Sequence, residues 1–396
     1  MKTIVLNIII CLFVSSCLDE SMTVENNTKP KIGRIGIRIN SIGKQEFYDK
    51  GNNKKFVPKG YNYTHVGEFT WNGIQITNHI TFKPDYYNSD ASNSLLIKLK
   101  NENYNTVRVF INPLLVANAN GDLNTSYVAA IVDFLIKAEK HGIGVIITTD
   151  MIPLTAYGTV LQSEDDIWWW NKQYVFNSEI ELEKNFWQSL IVQLKNANVS
   201  LQTILAYEIR NEFFYHPSHA PFNSSSGIVH HPNGIDYNMA IATDKEALMQ
   251  ASFVYWSTNV RNSIKEVDAE ALVAVGFYGP EPLGKPSVIA IQNSELDFVD
   301  LHMYPEQHSL SEYIDYFEIS QNTEKLIILG EFGIVEDQTI NIDVAKNQLL
   351  NWRNDCVNSY GIDGWLLWTW DSDSGSQLSI SDSNDVLFKA FSPMNN

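Results

Sequence analysis

The sequence predicts an α/β fold, a (β/α)8 TIM barrel with a short N-terminal β-hairpin, occupying residues 32–396 as one domain. Three observations point there. Short apolar, β-branched runs alternate with segments of helical period, as βα units around a parallel sheet require. There are eight such runs, which suits a closed barrel better than an open doubly wound sheet. No glycine-rich GxGxxG or Walker pattern follows any of them, which argues against a nucleotide-binding fold.

The opening residues lie outside that fold. Met1-Lys2 gives a positive start, residues 4–14 form a short apolar run, and Ser15-Ser16 places small residues before Cys17. This is the layout of a secretory signal, too short to span a membrane as a mature helix. Val14-Ser15-Ser16-Cys17 also resembles the bacterial lipobox. That resemblance implies that residues 1–16 are a lipoprotein signal peptide and that Cys17 is acylated. Residues 18–31 are polar with almost no apolar pattern, so residues 17–31 read as a flexible tether. The expected location is the bacterial cell envelope, periplasmic or outer-surface, with the membrane touched only through the lipid.

Within the body, Arg34-Ile35-Gly36-Ile37-Arg38-Ile39 alternates apolar with other residues, and Phe47 and Phe56 flank the turn-rich Lys50-Gly51-Asn52-Asn53-Lys54. This is the hairpin. Strands are expected to begin at Val57, Thr106, Val145, Ile204, Leu272, Phe298, Leu326 and Trp365. Helices follow over 92–100, 126–140, 179–195, 243–267, 285–291, 310–320, 344–360 and 385–391. Neither a repeat nor an internal linker divides the body.

Composition narrows the function. Net charge is -18, which argues against a phosphate-backbone partner. Ten Trp and eighteen Tyr suit stacking on the apolar faces of sugar rings, although large aromatics also fill ordinary cores. Of three cysteines, Cys11 and Cys17 lie in the leader. Only Cys356 is left in the body, where it reads as a small buried hydrophobe, so no internal disulfide forms.

In a barrel of this kind, chemistry comes from the C-terminal ends of the strands. The second strand carries Arg108 amid apolar neighbours. The fourth runs out in Glu208-Ile209-Arg210-Asn211-Glu212, and the sixth places His302 and Tyr304 on one side by the period of two. The seventh reaches Glu331 after four apolar residues and Gly330, and the eighth reads Trp365-Leu366-Leu367-Trp368. Two carboxylates thus face each other across the mouth. Glycoside hydrolysis needs such a pair, one to protonate the leaving oxygen and one to attack or to activate water.

Taken together these motifs resemble the retaining (β/α)8 glycosidases of the clan that includes glycoside hydrolase family 5, the cellulase and mannanase family. The resemblance extends over the whole barrel as an order of motifs, from Phe56-Val57-Pro58-Lys59-Gly60-Tyr61-Asn62 at the entry to strand one. It implies Glu212 as acid/base, Glu331 as nucleophile and Asn211 holding the sugar 2-hydroxyl. Arg108, His302, Tyr304 and the strand-eight Trp368 complete the substrate site. One position departs. The family usually ends strand three in His, whereas this chain reads Ile146-Ile147-Thr148-Thr149-Asp150. Either Asp150 takes over that contact to the sugar, or the chain stands in a sister family or divergent branch. The implied activity is retaining cleavage of β-glycosidic bonds in β-glucan, mannan or related saccharides by a monomer without cofactor or metal.

The two acids must titrate differently. Arg108 favours the charged form of Glu331, Tyr304 donates to the same carboxylate, and Glu212, facing that negative charge, is kept protonated. His216, His219, His230 and His231 share a loop after strand four that lacks a framing Cys or carboxylate pair, so cleft lining is favoured over metal binding. Of Trp168-Trp169-Trp170, consecutive rings cannot all point one way, so at least one is expected in the core and another as a sugar platform. The long loops after strands three and four, about 151–177 and 213–242, are expected to wall the cleft near the leaving-group side and to favour short oligosaccharides or terminal units over long open polymers. The rival reading is a non-catalytic glycan-binding lipoprotein, whose mark would be loss of one carboxylate; both are present. A metal-dependent hydrolase would need His-x-His near the end of strand one, where Tyr61-Asn62-Tyr63 stands.

Overall fold

The computed structural model describes residues 32–71, 73–118, 122–151, 169–280, 283–322, 324–334, 341–371 and 385–395, with Trp169 described by its backbone alone. Eight parallel strands form a closed barrel: Lys59–Tyr63, Thr106–Ile111, Gly144–Thr149, Ile204–Glu208, Val273–Phe277, Phe298–His302, Leu326–Phe332 and Trp365–Leu367. The last pairs with the first through Trp365 opposite Lys59 and Leu367 opposite Tyr61. Each strand starts within two residues of its expected position. Helices cover the outside. Asn88, Asn124 and Asn341 cap the starts of three of them with side-chain oxygens, and Gly142 and Gly361 end two in the left-handed conformation that glycine permits.

The barrel interior is layered along its axis, and the layers explain where the chemistry sits. At the bottom, Ile146, Ala206, Ala274, Phe298, Ile328 and Leu366 pack with Ile35 and Phe47 of the N-terminal hairpin, Ile35–Ile39 against Gln45–Asp49. The hairpin thereby plugs the lower end, with the Phe47 ring 5.3 Å edge-on from that of Phe298. One step up, the inward positions are polar and fully buried: Asn62, Arg108, Thr148, Glu208 and Asp300. The layer above holds His302, Glu331 and Tyr304, still buried, with Glu212 part-exposed at its edge. Cys356 is buried in the outer helix Ile342–Tyr360, as expected of a small hydrophobe.

Some elements differ from expectation. An antiparallel hairpin, Val66–Trp71 with Ile74–His79, is inserted after the first barrel strand. Its signal was legible: the sequence pair Asn72-Gly73 between alternating runs favours a hairpin, and Gly73 takes φ +80°. A helix, Trp169–Val175, lies in the loop after strand three, and a small strand pair, Ile228–His230 with Asp236–Asn238, lies in the loop after strand four. The expected helix over 310–320 stops at Tyr316. Glu318 is left-handed there, and a 3-10 turn, Ile319–Gln321, finishes the span. Trp170 supplies the core tryptophan of its triplet, stacked 4.7 Å from Phe214. The expected Trp sugar platform, residues 152–168 of the strand-three loop and Cys17 lie outside the described residues. Among the described residues, no helix is long and apolar enough to cross a membrane.

Candidate active site

Strand four delivers its acid by leaving the regular sheet. Glu208 points into the barrel, whereas Arg210 turns outward to pair with Glu183 at 2.9 Å and to lie over the Tyr174 and Trp256 rings. Asn211 donates its backbone N–H to Thr149 O at 2.9 Å, and its own carbonyl rests on Gly276 of strand five. A Cβ at that glycine would overlap the carbonyl, so only a bare α-carbon lets the chain cross here. Glu212 emerges at the mouth with its side chain 30% exposed.

Arg108 is the hub beneath it. Its guanidinium donates to Glu208 at 2.5 and 3.3 Å, to Asn211 Oδ1 at 2.6 Å, to Asn62 Oδ1 at 2.9 Å and to Glu331 Oε1 at 2.6 Å. A planar fork suits such convergence, where a lysine ammonium would serve fewer partners. The second oxygen of Glu331 accepts a 2.6 Å hydrogen bond from the Tyr304 hydroxyl. Burial, and then the Glu331 charge, hold the Tyr304 phenol well above its ordinary range, so it remains a donor.

Glu212 and Glu331 meet around His302. One oxygen of each carboxyl and a ring nitrogen of His302 lie within 4.8 Å of one another. His302 Nδ1 is 2.9 Å from Glu212 Oε1, and its Nε2 faces an Arg108 N–H at 3.5 Å. Burial pushes the imidazole down to about 4, so at neutral pH the ring is uncharged. Arg108 offers no acceptor and its charge disfavours an N–H pointed at it, so Nε2 is bare and Nδ1 carries the hydrogen. His302 therefore donates to Glu212 Oε1, which leaves Glu212 Oε2 as the seat for a proton.

Burial raises the Glu212 carboxyl to about 7, with the charge of Asp150 second and Arg108 opposing. Burial is the first cause of this shift and Asp150 the second, and the repulsion between Glu212 and Glu331 that the sequence led one to expect is present as well. Burial raises Glu331 too, and the Glu212 charge adds to this, while His302, Arg108 and the Tyr304 hydroxyl pull it down. The charge-stabilising donors are thus concentrated on Glu331.

No curated protein sequence matches the chain. The family model described as cellulase (glycosyl hydrolase family 5) matches residues 63–374. The chain belongs to glycosyl hydrolase family 5. Solved structures agree on the fold. An endo-β-1,4-mannanase from Thermotoga petrophila superposes with a TM-score of 0.59 at 16% identity, over 87% of this chain and 79% of that one. An endo-1,4-β-mannanase from Rhizomucor miehei gives 0.56 at 17%, over 87% and 95%. An exo-β-1,4-mannosidase from Opitutaceae bacterium strain TAV5 gives 0.57 at 16%, with 90% of this chain covering 58% of that protein.

This family 5 glycoside hydrolase brings the remaining sequence candidates to one cleft. Asn211 donates to Asp150 Oδ1 at 3.0 Å. Trp368 clusters with Phe110 and Tyr304, its ring 5.6 Å edge-on from Phe110. Sequence reasoning missed His79, which the inserted hairpin carries to within 3.5 Å of Asp150. Its ring stacks on Phe110 at 4.2 Å, and Nδ1 meets the Thr64 hydroxyl at 2.6 Å. No local pattern announces such a contact across the fold. Asn62, Glu208 and Asp300 were missed as well, although each is a polar residue at an inward strand position. The loop histidines disperse: His216 and His219 neighbour each other with ring centres 5.6 Å apart, His230 pairs with Asp236, and His231 packs on Tyr255. Among the described residues, the two groups that could offer three ligand atoms are Glu208-Asp300-His302 and Glu212-His302-Glu331. Arg108 touches both and already supplies their positive charge.

Proposed function

We propose that the enzyme cleaves β-glycosidic bonds in β-glucan-, mannan- or related saccharides with retention of configuration, Glu331 attacking and Glu212 serving as acid and then base. The observation that carries this reading is the approach of the two carboxyls, with oxygens within 4.8 Å. That approach of nearest oxygens fits the separation of about 5–5.5 Å between carboxyl groups that retaining glycosidases hold, and an inverting pair stands about 6.5–9.5 Å apart to admit a water. Glu331 attacks the anomeric carbon as an anion steadied by Arg108 and Tyr304, and Glu212 Oε2 passes its proton to the departing oxygen. The ester formed on Glu331 removes that negative charge. Glu212, now ionised, takes a proton from water, which attacks the same carbon and releases Glu331. Asn211 holds the 2-hydroxyl, Asp150 reads a neighbouring hydroxyl, and Trp368 provides the ring platform. The mannanase likeness of the neighbouring folds supports β-mannans among the substrates to assay first. Proton NMR of the first product formed from an aryl β-glycoside should show the β-anomer. Initial appearance of the α-anomer would refute the double displacement.

We also propose that Cys17 anchors the protein through lipid at the bacterial cell envelope. Cys17→Ser should move the protein from the membrane fraction to the soluble one and abolish fatty-acid labelling. A wild-type protein that is already soluble and unlabelled would contradict the anchor.

A further inference from the structure

Three carboxyls surround the Arg108 guanidinium, and the double displacement accounts for only one of them. Glu208 accepts both parallel donors of the fork and the Thr148 hydroxyl at 2.8 Å. Glu331 takes the third arm. Asp300 is fully buried on strand six, one step below His302, and receives no hydrogen bond from any donor. Its nearest cation, Arg108 Nε, is 3.7 Å away, and His302 Nε2 is at 3.9 Å. Its place is nevertheless built for it. A Cβ on Gly330 of strand seven would overlap both carboxyl oxygens and their carbon. With His302 uncharged, one guanidinium cannot balance three buried carboxylates, and a buried unpaired anion is far more costly than a buried neutral acid.

Glu208 and Asp300 each present an oxygen within 4.8 Å of the other, with His302 closing the triangle. A carboxyl-to-carboxyl contact is a hydrogen bond only when one member carries a proton. We propose that Asp300 is a protonated carboxylic acid that donates to Glu208, and that this neutral acid is a positioning residue which leaves Arg108 free to hold the nucleophile. Burial, followed by the Glu208 charge, pushes Asp300 well above the ordinary carboxylate range, while Arg108 draws Glu208 below it against burial. The groups facing Asp300 are Arg108 from strand two, Glu208 from strand four, His302 on its own strand and Glu331 from strand seven. An ionised Asp300 would compete through Oδ2 for Arg108. A neutral donor instead disperses charge on Glu208, so that the Nη1 arm stays on Glu331.

The functional half of this inference rests on Glu331 being the nucleophile; the proton itself does not. Infrared difference spectra of the full-length enzyme at neutral pH, wild type minus Asp300→Asn, should contain the carbonyl stretch of a protonated carboxyl. That band should persist in Glu212→Gln. Asp300→Asn keeps a neutral donor, so its kcat/KM should stay within about threefold of wild type with the acid limb of the pH profile unmoved. Asp300→Leu removes the donor, and the acid limb should move to higher pH because Glu331 loses part of its hold on Arg108. Should Asp300→Leu fail to fold, the infrared band and the Asp300→Asn profile decide alone. Absence of an Asp300-dependent band overturns the proton assignment. An Asp300→Asn limb shifted as far as that of Asp300→Leu overturns the positioning role. Loss of stereochemical retention, by contrast, would sink the nucleophile assignment and leave the band in place.

Discussion

Glu331→Ala should lower kcat/KM by roughly 10⁴-fold or more, the scale on which single members of a catalytic unit fail. It then regains part of its turnover in azide, releasing an α-glycosyl azide of inverted configuration. On the proposed roles, this truncation opens the space under the anomeric carbon, while Glu212 stays in place to protonate the leaving group. Glu212→Ala behaves in the opposite sense. Substrates with good leaving groups still glycosylate Glu331, the intermediate accumulates, and azide releases a β-glycosyl product of retained configuration. The pH profile separates the two further. Glu212 must be protonated in the free enzyme, so wild-type kcat/KM should fall as pH rises through about 7, where its carboxyl deprotonates. With an activated aryl substrate that limb should vanish in Glu212→Ala. Both variants giving azide products of the same configuration would refute the division of roles.

The gathering of the candidate residues in one cleft was legible from residue order, and the reasons are physical. A strand buried on both faces reads as an apolar run, so a charge at its end or within it stands out. That is how Glu331, Arg108 and Glu212 could be found. Asp300 had the same signal, one acid between Val299 and Leu301 at an inward position, yet the chemistry of a strand mouth drew attention only to His302 and Tyr304. His79 had no such signal. It belongs to a hairpin that reads as polar and exposed, and only the closing of the barrel sets it against Asp150. The parts that burial and Asp150 play in the Glu212 shift were hidden too, since both depend on how the strand ends assemble. Family membership could be read from motifs spaced along the whole chain. The depth of burial that tunes each acid could not, because it belongs to the assembled barrel.

Arg108→Met should be the most damaging single change to stability in the barrel interior, and its effect should depend on pH. Both Arg108 and Glu208 are fully buried at 0% exposure, so solvent screens neither. Removing one partner of a buried pair strands the other, typically at a cost of about 3–5 kcal/mol. Glu208 is the group left behind. In the wild type Arg108 depresses its carboxyl below the ordinary value, so the pair's contribution is present above the unfolded carboxylate pKa. It fades as pH falls through the lower folded value. In Arg108→Met the sign reverses: burial without a cation raises Glu208, so the folded state binds a proton that the unfolded chain releases. The variant should therefore be weakest at alkaline pH and recover as the medium becomes acidic enough to protonate Glu208. Urea unfolding of both proteins at pH 8 and at about pH 5 should show the gap between them narrowing toward acid. Activity should not recover with it. Glu331 also loses its 2.6 Å donor, and loss of such a charged contact costs roughly 10²–10³-fold in kcat. A gap of equal size at both pH values would mean that the introduced thioether side chain fills the layer without stranding a charge, and that Glu208 is already neutral in the native barrel.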